Sequence, residues 1–304
     1  MRILLFGKDG QLGNALQHRL GAMGELIALN RSGWGIESDL CGDLCNLTGI
    51  QTTIYALQPD IVVNAAAYTA VDRAEQEHEL ADKINHQAVA VMARACQHIN
   101  ALLVHYSTDY VFNGQSSQAW TEQDMPQPLN QYGLSKWAGE QAIISSGCHA
   151  LILRTSWLYS LHGNNFVKTI LSLARQRDSI HVVNDQYGTP TSTTWIATIT
   201  VKILRTYFNH PRPEQLDGIY HLSALGKTSW YDYANFMIEQ AGGLGMAFRV
   251  KTILPINSAD YPAKAVRPAN SQLNTAKVQQ TFKLTLPPWQ SGVVQLLQEL
   301  KHND

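Results

Sequence analysis

Nothing in this 304-residue chain repeats, and no tract is of low complexity. No block of Lys and Arg breaks the even spread of charge, and the formal net charge is only -1. The electrostatic footprint that nucleic acid or an anionic membrane surface requires is therefore missing. No apolar run approaches the ~18 residues of a membrane span, and the opening Met1-Arg2-Ile3-Leu4-Leu5-Phe6 stops at Gly7-Lys8, short of a signal-peptide core. A cytoplasmic protein with neither nucleic-acid nor membrane partners is expected. Cysteine is scarce: Cys41, Cys45, Cys96 and Cys148 fit a reducing compartment, and the Cys41/Cys45 pair has no second pair of ligands to complete a zinc site. The histidines contain no His-Glu-x-x-His. What remains is a chain 45% hydrophobic and 15% charged, rich enough in apolar residues for a folded core and long enough for two domains or one large one.

Short apolar runs alternate with helical stretches. Residues 2–6, 26–29, 60–64, 101–107 and 151–154 read as strands. Helices are expected over about 11–22, 48–57, 72–98 (with Asp72 as N-cap) and 131–146. Strands separated by helices predict βαβ units, and strands without polar alternation predict a parallel sheet covered on both faces. Beyond residue 156 the pattern weakens, with helices near 163–177, 192–207, 230–241 and 290–301. The expected fold is α/β: a Rossmann-like doubly wound parallel sheet over residues 1–156, rejoined by a segment near 190–225. Residues 157–304 would form mainly a smaller substrate-binding α/β domain.

Gly7-Lys8-Asp9-Gly10-Gln11-Leu12-Gly13 lies between the first strand and the first helix. Its G-x-x-G-x-x-G spacing differs from that of the dinucleotide dehydrogenases. The physics is the same: glycines let backbone approach a pyrophosphate, and a helix N-terminus offers free N–H groups. The alternative is a tight turn. At the end of the second strand, where a carboxylate would bind ribose hydroxyls, stand Asn30, Arg31 and Ser32. A neutral residue beside a guanidinium can accept a 2′-phosphate, so NADPH is expected to serve at least as well as NADH. Otherwise Arg31 is a solvated surface charge. Asp43 and Leu44 could lie along the adenine. The small residues Ala65, Ala66 and Ala67 after Asn64 either admit the cofactor or simply pack closely.

Tyr132-Gly133-Leu134-Ser135-Lys136 places a phenol and an ammonium on one helix face. A nearby cation lowers a phenol's pKa from ~10 toward the working pH, which suits a proton donor. Alone, the pair is also what an amphipathic helix produces. Thr108, 24 residues earlier at a strand's carboxyl end within Ser107-Thr108-Asp109-Tyr110-Val111-Phe112, could hydrogen-bond both substrate oxygen and phenol. Otherwise it caps backbone. Together these segments predict catalysis by Tyr132, Lys136 and Thr108, with Asp109 beside the substrate.

The chain resembles the extended short-chain dehydrogenase/reductase superfamily and, within it, the dTDP-4-dehydrorhamnose reductases. The likeness rests on the glycine loop, Asn64 to Ala67 with Thr69-Ala70-Val71-Asp72, Ser107 to Phe112, and Tyr132-Gly133 with Lys136, Gly139 and Glu140. It continues through Arg154-Thr155-Ser156-Trp157, Gly163-Asn164-Asn165-Phe166, Asp185-Gln186 with Gly188, and Arg267-Pro268 with Asn270-Ser271. The resemblance implies NAD(P)H-dependent reduction of the C4 ketone of dTDP-4-dehydro-L-rhamnose to dTDP-L-rhamnose. It implies Tyr132 as proton donor, Lys136 on the nicotinamide ribose, Thr108 assisting and Trp157 against the sugar. Cofactor contacts would fall on Gly7, Asp9, Gly10, Gln11, Leu12, Asn30, Arg31, Asp43, Leu44, Ala65, Ala66, Ala67, Tyr68 and Thr69, and residues 113–131 would form a loop beside the substrate. Family members that bridge a dimer through magnesium use acidic residues where this chain has Asn14, Ala15, Thr193-Thr194 and Gln290. No metal is therefore expected, and the chain would be a monomer or homodimer. The other readings are a sugar-nucleotide epimerase or dehydratase of the superfamily, and a non-catalytic subunit like the regulatory one of methionine adenosyltransferase.

Overall fold

The computed structural model describes residues 1–32 and 40–303. Five strands, β1 (Arg2–Phe6), β2 (Glu25–Leu29), β3 (Ile61–Asn64), β4 (Leu102–Thr108) and β5 (Ala150–Thr155), join Gly218–His221 in a parallel six-stranded sheet. Its order is Gly218–His221, β5, β4, β3, β1, β2. The chain thus runs outward from β1 to β2, then crosses back to lay β3 on the other side of β1. That reversal opens a crevice at the carboxyl ends of β1 and β3.

Strand period fixes the two faces. Ile3, Leu5, Val63, Val104 and Leu153 face one side, where they bury against α1 (Gln11–Leu20) and α8 (Thr193–Asn209). Leu4, Phe6, Val62, Leu103 and Ile152 face the other, against α2 (Leu47–Leu57), α5 (Ala88–Ile99) and α6 (Gln131–Ser146). The sheet is covered on both faces, as its unbroken apolar strands require. A further apolar cluster joins α7 (Phe166–Gln176), α9 (Trp230–Gly243) and α11 (Trp289–Asn303) around Val167, Ile180, Tyr233 and Trp289. Here Ser179–Val183 and Thr252–Ile256 pair in parallel. One short helix, α10 (Ala276–Phe282), was not foreseen.

The expected helix over 72–98 is broken. It divides into α3 (Val71–Ala74), α4 (His78–Asp82), a widened turn at Lys83–Gln87 and α5. Asn85 in that turn spends its side chain on partners elsewhere: Oδ1 accepts from Tyr68 N at 2.8 Å, and Nδ2 donates to Tyr68 O at 3.0 Å and Ser135 Oγ at 3.0 Å. Nor is Asp72 the N-cap, since Ala70 occupies that position. Its carboxylate accepts from the backbone of Lys264 and Ala265 and from Arg267 Nη2 at 2.7 Å, tying α3 to the C-terminal segment.

Helix α6 is fastened to β5 by a fully buried, two-point ion pair: Arg154 Nε and Nη2 donate to Glu140 at 2.9 and 2.6 Å. Removing one partner strands the other charge in the core. Glu140→Ala should cost about 3–5 kcal/mol in urea unfolding, whereas the double variant Glu140→Leu/Arg154→Met should lose far less. Equal losses for the two would show that the pair is not energetically coupled.

Candidate active site

A cleft of about 750 Å³ follows the carboxyl edge of the sheet. At one end lies the glycine turn. Gly7 has φ +86°, and a side chain there would strike Ala66 across the β1–β3 crevice, its Cβ 2.7 Å from Ala66 N. Helix α1 starts at Gly10 with no side-chain cap and no acidic residue in its first turn. Its unpaired N–H groups and positive end face the cleft, a fit for a pyrophosphate. Gln11 and Leu12 line the same end, and Gln11 Oε1 accepts from Ser160 Oγ and Asn165 Nδ2, tying α1 to the segment before α7.

Asp9, Asn30, Arg31, Asp43 and Leu44 line the outer part. Asn30 is engaged on both sides, donating to Asp9 Oδ2 at 2.7 Å and accepting from Ser32 N at 3.0 Å. Arg31 is exposed. Ala65, Ala66, Ala67 and Thr69 form the wall. Tyr68 is the exception among the expected cofactor residues. Its buried ring turns away, and its hydroxyl donates to Glu77 Oε2 at 2.7 Å. A residue flanked by wall positions in a loop can point either way, and here Glu77 draws the phenol away.

At the inner end the cleft is lined by Thr108, Asp109, Tyr132, Lys136 and Trp157. Two elements deliver the first four: the end of β4 and the first turns of α6, whose N-cap Asn130 accepts from Gly133 N at 2.8 Å. The Thr108 hydroxyl does cap backbone, accepting from Tyr110 N at 3.1 Å, and it also donates to Asp109 Oδ1 at 3.2 Å. Trp157 has φ +49°, rare for a non-glycine residue, and stacks on Trp230 at a ring separation of 3.5 Å. Strain of that kind concentrates at ligand sites. Ser107, Tyr110, Thr155 and Ser156 also line the cleft; they lie within stretches quoted from the sequence but were given no role there, and Trp230 lies in none of them. Ser107 Oγ, Asp109 Oδ2 and Thr155 Oγ1 are buried without a hydrogen-bond partner, so the inner cleft carries polar capacity a ligand could fill.

One electrostatic expectation is corrected. Lys136, expected to lower the phenol's pKa jointly with the cofactor's positive ring, does not do so by itself. Burial pushes Tyr132 up to about 12, opposed by hydrogen bonding to Thr108 and reinforced by Asp109. The lysine's own nitrogen is occupied deeper in the fold, donating to Tyr106 O at 2.6 Å. Burial pushes Lys136 down to about 8, against the pull of Glu140. A shared helix face sets the side of approach, but not the separation of two long side chains' tips.

Comparison with known proteins follows the same outline. The chain matches the family model described as RmlD substrate binding domain over residues 1–302. It is 46% identical over 300 residues to dTDP-4-dehydrorhamnose reductase of Escherichia coli K12, covering 99% of this chain and 98% of that protein. It is similar in structure to dTDP-4-dehydrorhamnose reductase from Bacillus anthracis in complex with NADP, with TM-score 0.87 and 34% identity over 98% of this chain and 99% of the other. WbmH of Bordetella bronchiseptica, in complex with NAD+, shares the fold at 16% identity, with TM-score 0.77 over 100% of this chain and 99% of that one. Among the described residues no group of three or more His, Cys, Asp or Glu could hold a metal ion, and no helix is long and apolar enough to cross a membrane.

Asp109 gives the site a measurable pH signature. Burial pushes its carboxyl up to about 7, partly offset by the hydroxyls of Ser271 and Thr108. The unfolded chain ionises it near the ordinary 3.8. Between those values the folded state keeps a proton the unfolded state has lost, so this group's contribution to stability falls as pH rises. Asp109→Asn removes that penalty. Its stability relative to the parent should grow from about pH 4 to about pH 8, by about 4 kcal/mol, most of it below pH 7. A difference in urea midpoints that stays constant across the range would show that Asp109 ionises normally.

Proposed function

The chain belongs to the RmlD substrate binding domain family of dTDP-4-dehydrorhamnose reductases, and on that premise we propose that it reduces the C4 ketone of dTDP-4-dehydro-β-L-rhamnose with NADPH or NADH, giving dTDP-L-rhamnose for cell-surface polysaccharide. The observation that carries this reading is one continuous cleft. The glycine turn and the uncapped start of α1 lie at one end, and Thr108, Tyr132 and Trp157 at the other.

The residues fit a dinucleotide. Gly7, Gly10, Gln11 and Leu12 would take the pyrophosphate at the helix N-terminus. Asn30, Arg31, Asp43 and Leu44 would take the adenosine end, with Asp9 steadying Asn30, while Ala65, Ala66, Ala67 and Thr69 would let the rest lie flat against the sheet edge. When bound, the reduced nicotinamide supplies a hydride to the C4 carbonyl carbon. Tyr132, fully protonated at neutral pH, donates its proton to the carbonyl oxygen as negative charge develops there. Thr108, which acts on the phenol, would hold that oxygen in line. Lys136 would hold the nicotinamide ribose. Asp109, which lines the inner cleft, would accept from a sugar hydroxyl, and Trp157 would give the sugar ring a flat apolar face.

Residues 1–156, rejoined near 190–225, would serve as the nucleotide-binding unit, and 157–304 mainly as the substrate-binding one. We place the enzyme in the cytoplasm, where reduced nicotinamide and nucleotide sugars are available, as a monomer or homodimer.

With dTDP-4-dehydro-6-deoxyglucose and a 3,5-epimerase present, NADPH fluorescence should disappear in proportion to product. Turnover without net oxidation of NADPH would instead indicate an epimerase. Tyr132→Phe should lower kcat by about 10²–10⁴-fold, the range for general acid catalysis. Full activity would remove the proposed donor. Arg31→Ala should raise KM for NADPH and leave NADH unchanged, which steady-state kinetics with both cofactors would check.

A further inference from the structure

Beneath the reaction centre, on the side away from the cleft, lies a buried chain of side chains that the reduction itself does not employ. Asn64 at the end of β3 and His105 in β4 are register partners in the sheet. Both are enclosed, at 1% and 0% exposure. The amide orientation of Asn64 is fixed by a backbone group. Ala66 N–H, which can only donate, meets Asn64 Oδ1 at 3.1 Å. The Nδ2 amine must therefore face His105 Nδ1, 3.1 Å away, and Nδ1 must accept. His105 is neutral, since burial first and Lys136 second push its pKa well below the ordinary value. A neutral imidazole with an accepting Nδ1 carries its proton on Nε2.

That Nε2 lies 3.3 Å from Lys136 Nζ. An ammonium would there oppose a donor with a donor. A neutral amine fits: one N–H goes to Tyr106 O at 2.6 Å, and the lone pair receives His105 Nε2–H. The remaining surroundings add no competing charge at His105. β5 contributes Ile152 beside it in register, and β3 the uncharged Asn64. Glu140 acts on Lys136 from one turn along α6 but is bound at two points by Arg154. Asp109 acts on Tyr132, and the Tyr106 hydroxyl is engaged with Thr200.

We infer that His105 is a positioning residue: its tautomer, fixed by Asn64, seats Lys136 as a neutral amine against the Tyr106 carbonyl in the free protein. Gain of a proton by Lys136 breaks its contact with Nε2–H and frees the side chain toward the cleft. Burial pushes Lys136 down to about 8, so the seated neutral amine predominates above that pH and the ammonium below it. The functional consequence rests on the reading of Lys136 as the reaction-centre lysine, but the arrangement does not.

Two measurements test it without turnover, so they can fail independently of the reductase assay. In the unmodified protein labelled with ¹⁵N-histidine, His105 should carry its proton on Nε2, and an Nδ1–H tautomer overturns the inference. The second follows the Lys136 ¹³Cε resonance, assigned by its loss in Lys136→Arg, through a pH titration. His105→Asn keeps a partner for Asn64 but stops short of Lys136, so the midpoint should rise by about one pH unit, a tenfold change in proton affinity. His105→Gln reaches Lys136 with an amide N–H and should bring the midpoint back toward the parent. An unchanged midpoint in His105→Asn, or no recovery in His105→Gln, overturns the role assigned to His105. If His105→Asn does not fold, the tautomer measurement on the parent decides alone.

Discussion

The depth at which α6 sits is the constraint on which the chemistry depends. Two of its residues are glycines where any side chain would collide with backbone: a Cβ at Gly133 would lie 2.2 Å from Tyr110 O, and one at Gly139 2.2 Å from Asn85 O. The helix can therefore press against the end of β4 on one side and the widened turn at Lys83–Gln87 on the other. The buried Glu140–Arg154 pair then holds it to β5. Only with the helix at this depth do Tyr132 and Lys136 meet Thr108 and Asp109 in one cleft. Broken pairing in the core costs more than most surface changes, so the position is strongly enforced.

The cleft itself follows from topology. Reversal of strand order beside β1 leaves the carboxyl ends of β1 and β3 without a connection passing over them. Gly7 and Ala66 are small enough for the two ends to touch at the base of that gap. The chain after β5 returns to cover the inner end, with Trp157 laid on Trp230 and the C-terminal segment anchored to Asp72 and to Trp120, whose indole donates to Asn270 O. Parts of the chain far apart in sequence thus meet along one cleft.

Burial outweighs attraction in setting the site's charge states. The phenol and the Asp109 carboxyl are both pushed up and the lysine down, each with loss of solvent as the largest cause. In the free protein burial thus disfavours the charged form of each of the three groups. A charged ligand entering such a place meets weakly screened groups, and each shift of one pKa unit it induces corresponds to about 1.4 kcal/mol.

The sequence by itself determined what depends on near neighbours along the chain. The strand runs, the glycine turn after β1, the helix at 131–146 with Tyr132 and Lys136 on one face, and the doubly wound class were legible because strand and helix periods are local. Thr108 was legible from its place at a strand's carboxyl end, while the family likeness carried Trp157 and the substrate. Only the tertiary structure decided the rest. It broke the helix expected over 72–98 between Ala74 and His78, and widened its turn at Lys83–Gln87, where Asn85 reaches Tyr68 and Ser135. It took Asp72 from a capping role to a clasp on Arg267, and turned Tyr68 out of the cleft toward Glu77. It set Lys136 against Tyr106 and His105 rather than against the phenol. Each of these outcomes is a choice between partners distant in sequence, made by burial and by competition for hydrogen bonds, and neither quantity exists until the chain has folded.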